Sequence, residues 1–254
     1  MFSRKTPAQK SVLYFALCDA LREDGCPICS LLVKYSMAAL DSLLYEQVTD
    51  PAARARLQAS HGFCNWHAWM LLRIPSGRSG VAIIYATLLR QQLDALHTLQ
   101  QVLAPRSFWQ RVRGWLSAAA PLPFLKQWMS KSPCPVCVHQ QRSDERAYLR
   151  ALLDALAEPA FVEQFPPAFG LCLPHVALAL TSERDHPTLP LFVRLQTQKM
   201  ETLQARLRDI IRTFDYRFAT ELPADAGPEW QRAIELFVGK PAVFGNERFP
   251  DTTV

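Results

Sequence analysis

The sequence predicts an all-α protein built from two pseudo-equivalent helical halves. Three observations carry that prediction. Apolar residues recur at helical spacings, as at Tyr148, Leu149, Leu152, Leu153 and Leu156. No segment alternates apolar and polar residues for long enough to build a sheet. Finally, Cys26, Cys29, Cys64 and His67 return 108 positions later as Cys134, Cys137, Cys172 and His175, with 34 residues between the second and third cysteine each time. We read an internal duplication in which each half carries one Cys3His metal site. The first repeat spans 1–103 and the second 133–218. A connector, 104–132, joins them, and residues 219–254 form a C-terminal extension.

The elements follow in order. Leu13, Phe15, Ala16 and Leu21 mark a helix over 7–23 that stops near Asp24-Gly25. Cys26-Pro27-Ile28-Cys29 opens a second helix to about Glu46, since proline suits the first helical position. Asp50-Pro51 breaks the chain, and a short helix runs to Ala59. Gly62 allows a tight turn into Cys64-Asn65-Trp66-His67, which begins a helix through Leu72. Residues 75–80 read as a loop, and a long helix over 81–103 completes the half. The second half repeats the plan: a helix over 134–156, Glu158-Pro159 at the offset of Asp50-Pro51, a helix over 172–180 and a long helix over 189–214. Residues 228–238 predict one more helix.

The connector has its own character. It lacks acidic residues, carries Arg111 and Arg113, and sets Phe108, Val112, Trp115 and Leu116 in an apolar stripe with Trp109 beside it. Such a helix packs its apolar face across the halves, or docks on an anionic membrane surface or a larger complex.

Bulk composition narrows the class. The chain has 254 residues, 49% hydrophobic and 20% charged, which is ordinary for a globular protein. No apolar run approaches the ~18–20 residues needed to cross a bilayer, and the N-terminus lacks a signal-peptide pattern, so the expected location is cytoplasmic. Six of the seven cysteines sit in the paired motifs, unlike a secreted disulfide framework. The seventh, Cys18, lies on an apolar helix face and corresponds to Lys126, so it reads as a buried small hydrophobe. The formal charge of +5 falls to about +3 if each Cys3His site holds a divalent ion, too little to mark a nucleic-acid binder.

The chemistry follows from spacing. Two cysteines three apart at a helix start place both sulfurs on one side of a turn, where backbone N–H groups favour thiolate. Cys64 and His67, also three apart, share a helix face. Three thiolates and an imidazole form a recognised structural zinc set, so two zinc ions are the leading expectation. Iron–sulfur clusters used for electron transfer or redox sensing are the alternative. Thiol–disulfide chemistry would leave Cys64 and His67 without a role and lacks the βαβ setting it needs. The sequence does not favour covalent haem, since neither Cys29 nor Cys137 is followed by histidine. His61, His97, His139 and His186 have no matching counterpart and read as surface or cap residues. No phosphate loop, nucleophile elbow or carboxylate pair stands out, so the sequence points to a scaffold or protein-interaction module rather than an enzyme.

Cys-Pro-x-Cys at a helix start, Asp-Pro at that helix's end and Gly-Phe-Cys-x-x-His resemble the DUF6062 family of bacterial and archaeal proteins. The resemblance extends through both copies and to Glu229-Trp230-Gln231-Arg232. It implies paired metal-type motifs on a helical scaffold and brings no activity. The second copy departs slightly, with Gly170-Leu171 in place of Gly62-Phe63.

Overall fold

The computed structural model describes residues 12–103, 132–139, 145–213, 229–241 and 243. Among these residues all regular structure is helical: α1 (Val12–Arg22), α2 (Pro27–Tyr45), α3 (Pro51–Ala59), α4 (Asn65–Met70), α5 (Arg78–Leu103), α6 (Pro135–His139), α7 (Glu145–Ala155), α8 (Pro159–Val162), α9 (Leu173–Ser182), α10 (Leu189–Thr213) and α11 (Glu229–Val238). The connector stripe, Phe108 to Leu116, lies outside the described residues. The helix expected over 134–156 is seen as α6 and α7, with 140–144 undescribed. The loop expected over 75–80 is mostly helical: a 3-10 turn, Pro75–Gly77, leads directly into α5.

The chain forms two compact units, Met1–Ser36 with His139–Val254, and Met37–Val138. Their boundaries fall inside α2 and α6 rather than in the connector, where the sequence reading placed the division.

The first unit's core takes in the apolar stripe read from the sequence on α7, whereas of the α1 residues read there Leu21 is buried, Leu13 and Ala16 are partly buried and Phe15 is exposed. Leu17 and Leu21 of α1, Ile28 and Leu32 of α2, and Leu149 and Leu152 of α7 are buried together. Phe161, Phe165 and Phe192 close the cluster, with the rings of Phe165 and Phe192 edge to face at 6.4 Å. Burying each such side chain contributes about 1.5–3 kcal/mol, which is why a pattern of apolar spacing can specify the packing. Cys18 is buried in this cluster, as its helix face required.

The second unit buries Leu40 and Leu44 of α2, Leu57 of α3, and Ile84 and Leu88 of α5. The start of α3 is fixed by Asp50, whose carboxylate accepts the Ala53 N–H at 2.7 Å, and by Pro51 at the first helical position.

One expectation needs correction. At 19 residues and a mean hydropathy of 1.3, α2 is long and apolar enough to cross a bilayer. Half of that stretch is buried within the protein, the pattern of a core helix.

Candidate metal centres

Each of the eight cysteines and histidines lies at a helix start. Cys26 and Cys134 stand just before Pro27 and Pro135, and their carbonyls accept the N–H groups of Ser30 and Val138, both at 3.0 Å. Cys64 caps α4: its Sγ accepts the His67 N–H at 3.5 Å, taking the place of the usual capping oxygen. Cys172 holds the same position on α9, with extended backbone and Pro174 in the first turn. The turns into both caps pass through Gly62 and Gly170, at φ of 94° and 88°, a conformation a side chain resists.

The eight residues named from the sequence gather into two groups, and the grouping corrects the expected one. Cys26 and Cys29 meet Cys172 and His175 in the first unit, while Cys64 and His67 meet Cys134 and Cys137 in the second. Each centre therefore joins the cysteine pair of one sequence copy to the Cys-x-x-His of the other. The sets Cys26-Cys29-Cys64-His67 and Cys134-Cys137-Cys172-His175 do not form.

In the first centre all four residues are fully buried. His175 Nδ1 lies 3.1 Å from Cys172 Sγ, 3.4 Å from Cys26 Sγ and 3.5 Å from Cys29 Sγ. Cys29 and Cys172 bring their sulfurs to 3.7 Å, and no disulfide forms. The outward ring nitrogen, Nε2, sits 3.0 Å from Glu145 Oε1 at the start of α7. A carboxylate behind a ligating histidine fixes the ring and strengthens it as a donor. α11 and the residues just after it contribute too. Glu235 accepts the Cys26 N–H at 3.0 Å, and the Lys240 N–H donates to Cys29 Sγ at 3.5 Å. Lys240 Nζ donates to Ser30 Oγ at 2.7 Å. Behind Cys172, the buried Gln196 amide bridges the N–H and carbonyl of Leu171, both at 2.9 Å.

The second centre has the same inner geometry in a more open setting. His67 Nδ1 lies 3.2 Å from Cys64 Sγ, 3.4 Å from Cys137 Sγ and 3.6 Å from Cys134 Sγ, and the Cys64 and Cys137 sulfurs are 3.6 Å apart. His67 and Cys134 are buried; Cys64 and Cys137 are half-buried. The Ser132 N–H donates to the Ala59 carbonyl at 3.0 Å, tying the approach to Cys134 onto the end of α3.

Within each cluster the thiols differ sharply in acidity. Burial opposes ionisation of Cys26, but hydrogen bonds from Cys172, Cys29 and His175 outweigh it and hold this thiol well below its ordinary value. Hydrogen bonding to Cys172 and Cys26, with burial, then pushes Cys29 far up. The second centre repeats the split: its cysteine neighbours pull Cys134 down, while Cys134 and Cys64 drive Cys137 up. Burial disfavours a charged His67, yet the Cys134 and Cys64 sulfurs raise it to about 9. One thiolate in a dry pocket suppresses the next, so three can coexist only around added positive charge.

Glu145, Glu235, Lys240 and Gln196 carried no signal in the sequence reading. None belongs to the repeated motif, and their positions become meaningful only once α7, α10 and α11 are packed. No curated protein and no solved structure matches the chain. A family model described as a family of unknown function, DUF6062, matches residues 9–242, and the chain belongs to that family.

Proposed function

We propose that the protein is a zinc-binding helical scaffold or protein-interaction module, with one ion in each Cys3His group. The observation that carries this reading is the spacing of the donor atoms. Zinc–sulfur and zinc–nitrogen bonds of about 2.3 and 2.05 Å place tetrahedral vertices roughly 3.6 Å apart for sulfur and nitrogen, and roughly 3.8 Å for two sulfurs. The two groups have sulfur–nitrogen separations of 3.1–3.6 Å and sulfur–sulfur separations of 3.6 and 3.7 Å. All donor atoms in each group fall within 4.8 Å of one another, the dimension of a single-ion shell. A multinuclear cluster spreads its thiolates over several irons and needs a wider opening.

In this reading Cys26, Cys29, Cys172 and His175 hold one ion, and Cys64, His67, Cys134 and Cys137 the other. The ion supplies positive charge and ties helix starts that are distant in the chain. With four protein donors each shell is closed, the usual form of a structural zinc site. An interaction role is supported by α11, whose Trp230, Ile234, Phe237 and Val238 recur on one face and stay exposed.

The test is metal content per chain with a visible spectrum, on protein purified without oxygen. Two zinc ions and no colour are expected. Iron with inorganic sulfide and a brown colour would replace this reading with electron transfer or redox sensing.

A further inference from the structure

A cavity of about 280 Å³ lies in the first unit, and none of the eight cysteine and histidine donors lines it. Its walls are the end of α1 and the turn beyond it (21–24), residues 166–169, α10 from Lys199 to Arg206, and α11. The volume is close to the lower end for small-molecule sites, ~300 Å³.

Most of the charges around the cavity are paired, and Glu23, which also lines it, is exposed to solvent. Arg206 donates to Glu229 at 2.7 Å; Arg232 reaches the same carboxylate at 3.4 Å and Asp24 at 2.9 Å. Arg22 is held by Asp19 at 3.2 Å. Lys199 is different. Its helix neighbours three and four residues away are Leu195, Gln196, Thr202 and Leu203, and among the described residues no carboxylate meets its ammonium group. Burial and the nearby Arg206 push its pKa down, a state that an anion would relieve. Much of the remaining wall is apolar, with Leu21, Phe169, Leu203 and Leu236.

We propose that this cavity binds a small organic anion, with its charged headgroup against Lys199 and Arg206 and its apolar body against Phe169, Leu203 and Leu236. An apolar wall beside a cation favours a carboxylate on a hydrocarbon body over a bare inorganic ion, which would leave that wall uncovered. The site does not depend on which metal the cysteines hold.

Octanoate and its neutral isostere octanamide serve as probes in calorimetric titrations of the full chain. Octanoate binds the wild type with one site per chain, and octanamide binds at least about tenfold more weakly. Lys199→Met, which keeps the apolar stem, weakens octanoate by a similar factor with an unchanged melting curve. Leu203→Trp fills the cavity and removes binding. Wild-type protein that ignores octanoate, equal binding of the two probes, or Lys199→Met matching the wild type would each overturn the proposal. So would unchanged binding to Leu203→Trp, which would place octanoate on an exposed apolar face such as that of α11.

Discussion

The two Cys3His groups have the same inner donors and very different surroundings. In the first unit the donors are fully buried, and Glu145, Glu235 and Lys240 hold His175, Cys26 and Cys29 from behind. In the second unit two of the cysteines are half-buried. The position 108 residues before Glu145 is Met37, whose thioether cannot act as a carboxylate. Behind Cys172 a buried glutamine, Gln196, holds the Leu171 backbone, but the position 108 earlier is Leu88. There the turn is held instead by Ser60, whose hydroxyl donates to the Gly62 carbonyl at 2.7 Å. A set of four donors fixes what can bind; the groups behind them set how firmly it is kept.

The largest expected effect comes from removing a donor. Cys172→Ala should lose one metal and destabilise the first unit by more than ~4 kcal/mol, because structural metal affinity is largely folding free energy. Cys64→Ala should also lose one metal, at a smaller cost of roughly 2–3 kcal/mol, since its surroundings are more open. Denaturant melts with metal counts check both, and equal losses would erase the contrast. Chelator challenge sharpens it: metal should leave in two phases, with the fast phase abolished in Cys64→Ala. Next in size, Glu145→Gln should weaken the first centre about 10–100-fold and leave the second unchanged, read by competition with a coloured chelator.

Acidity separates loaded from stripped protein. Without metal, His67 is raised from 6.5 to about 9. Its proton therefore contributes stability that is full below pH 6.5 and fades as pH rises through about 9. Metal needs the neutral imidazole, so metal-bound protein should gain relative stability over the same interval. Melting temperatures of both forms at two pH values test the opposite signs. The smallest effect is Gln196→Leu, which gives the first unit the residue found at position 88. It should cost about 1 kcal/mol by removing the amide's hydrogen bonds to the Leu171 backbone, and a normal melt would show that another group replaces the amide.

The helices and the eight cysteines and histidines that gather into two groups were legible because each rests on local information. Leu149, Leu152 and Leu153 advertise a buried face through spacing, and Cys-Pro-x-Cys advertises a helix start through proline chemistry. The grouping was not legible. A pattern that recurs every 108 residues is the same whether Cys26 and Cys29 close on Cys64 or on Cys172, because the choice depends on which helices pack together. Here the unit boundary cuts through α2 after Ser36, so the first cysteine pair belongs with α7 and α9. Glu145 and Gln196 were hidden for the same reason: a lone charged or amide residue gains its meaning only from what packs beside it.

The most direct test of the central claim counts metals in paired cysteine variants by native mass spectrometry. Cys26→Ser with Cys172→Ser disables one centre, so that protein should keep one ion. Cys26→Ser with Cys64→Ser disables both and should keep none. The reverse result, one ion with the second pair and none with the first, would restore the grouping expected from the repeats and contradict the account given by the structure.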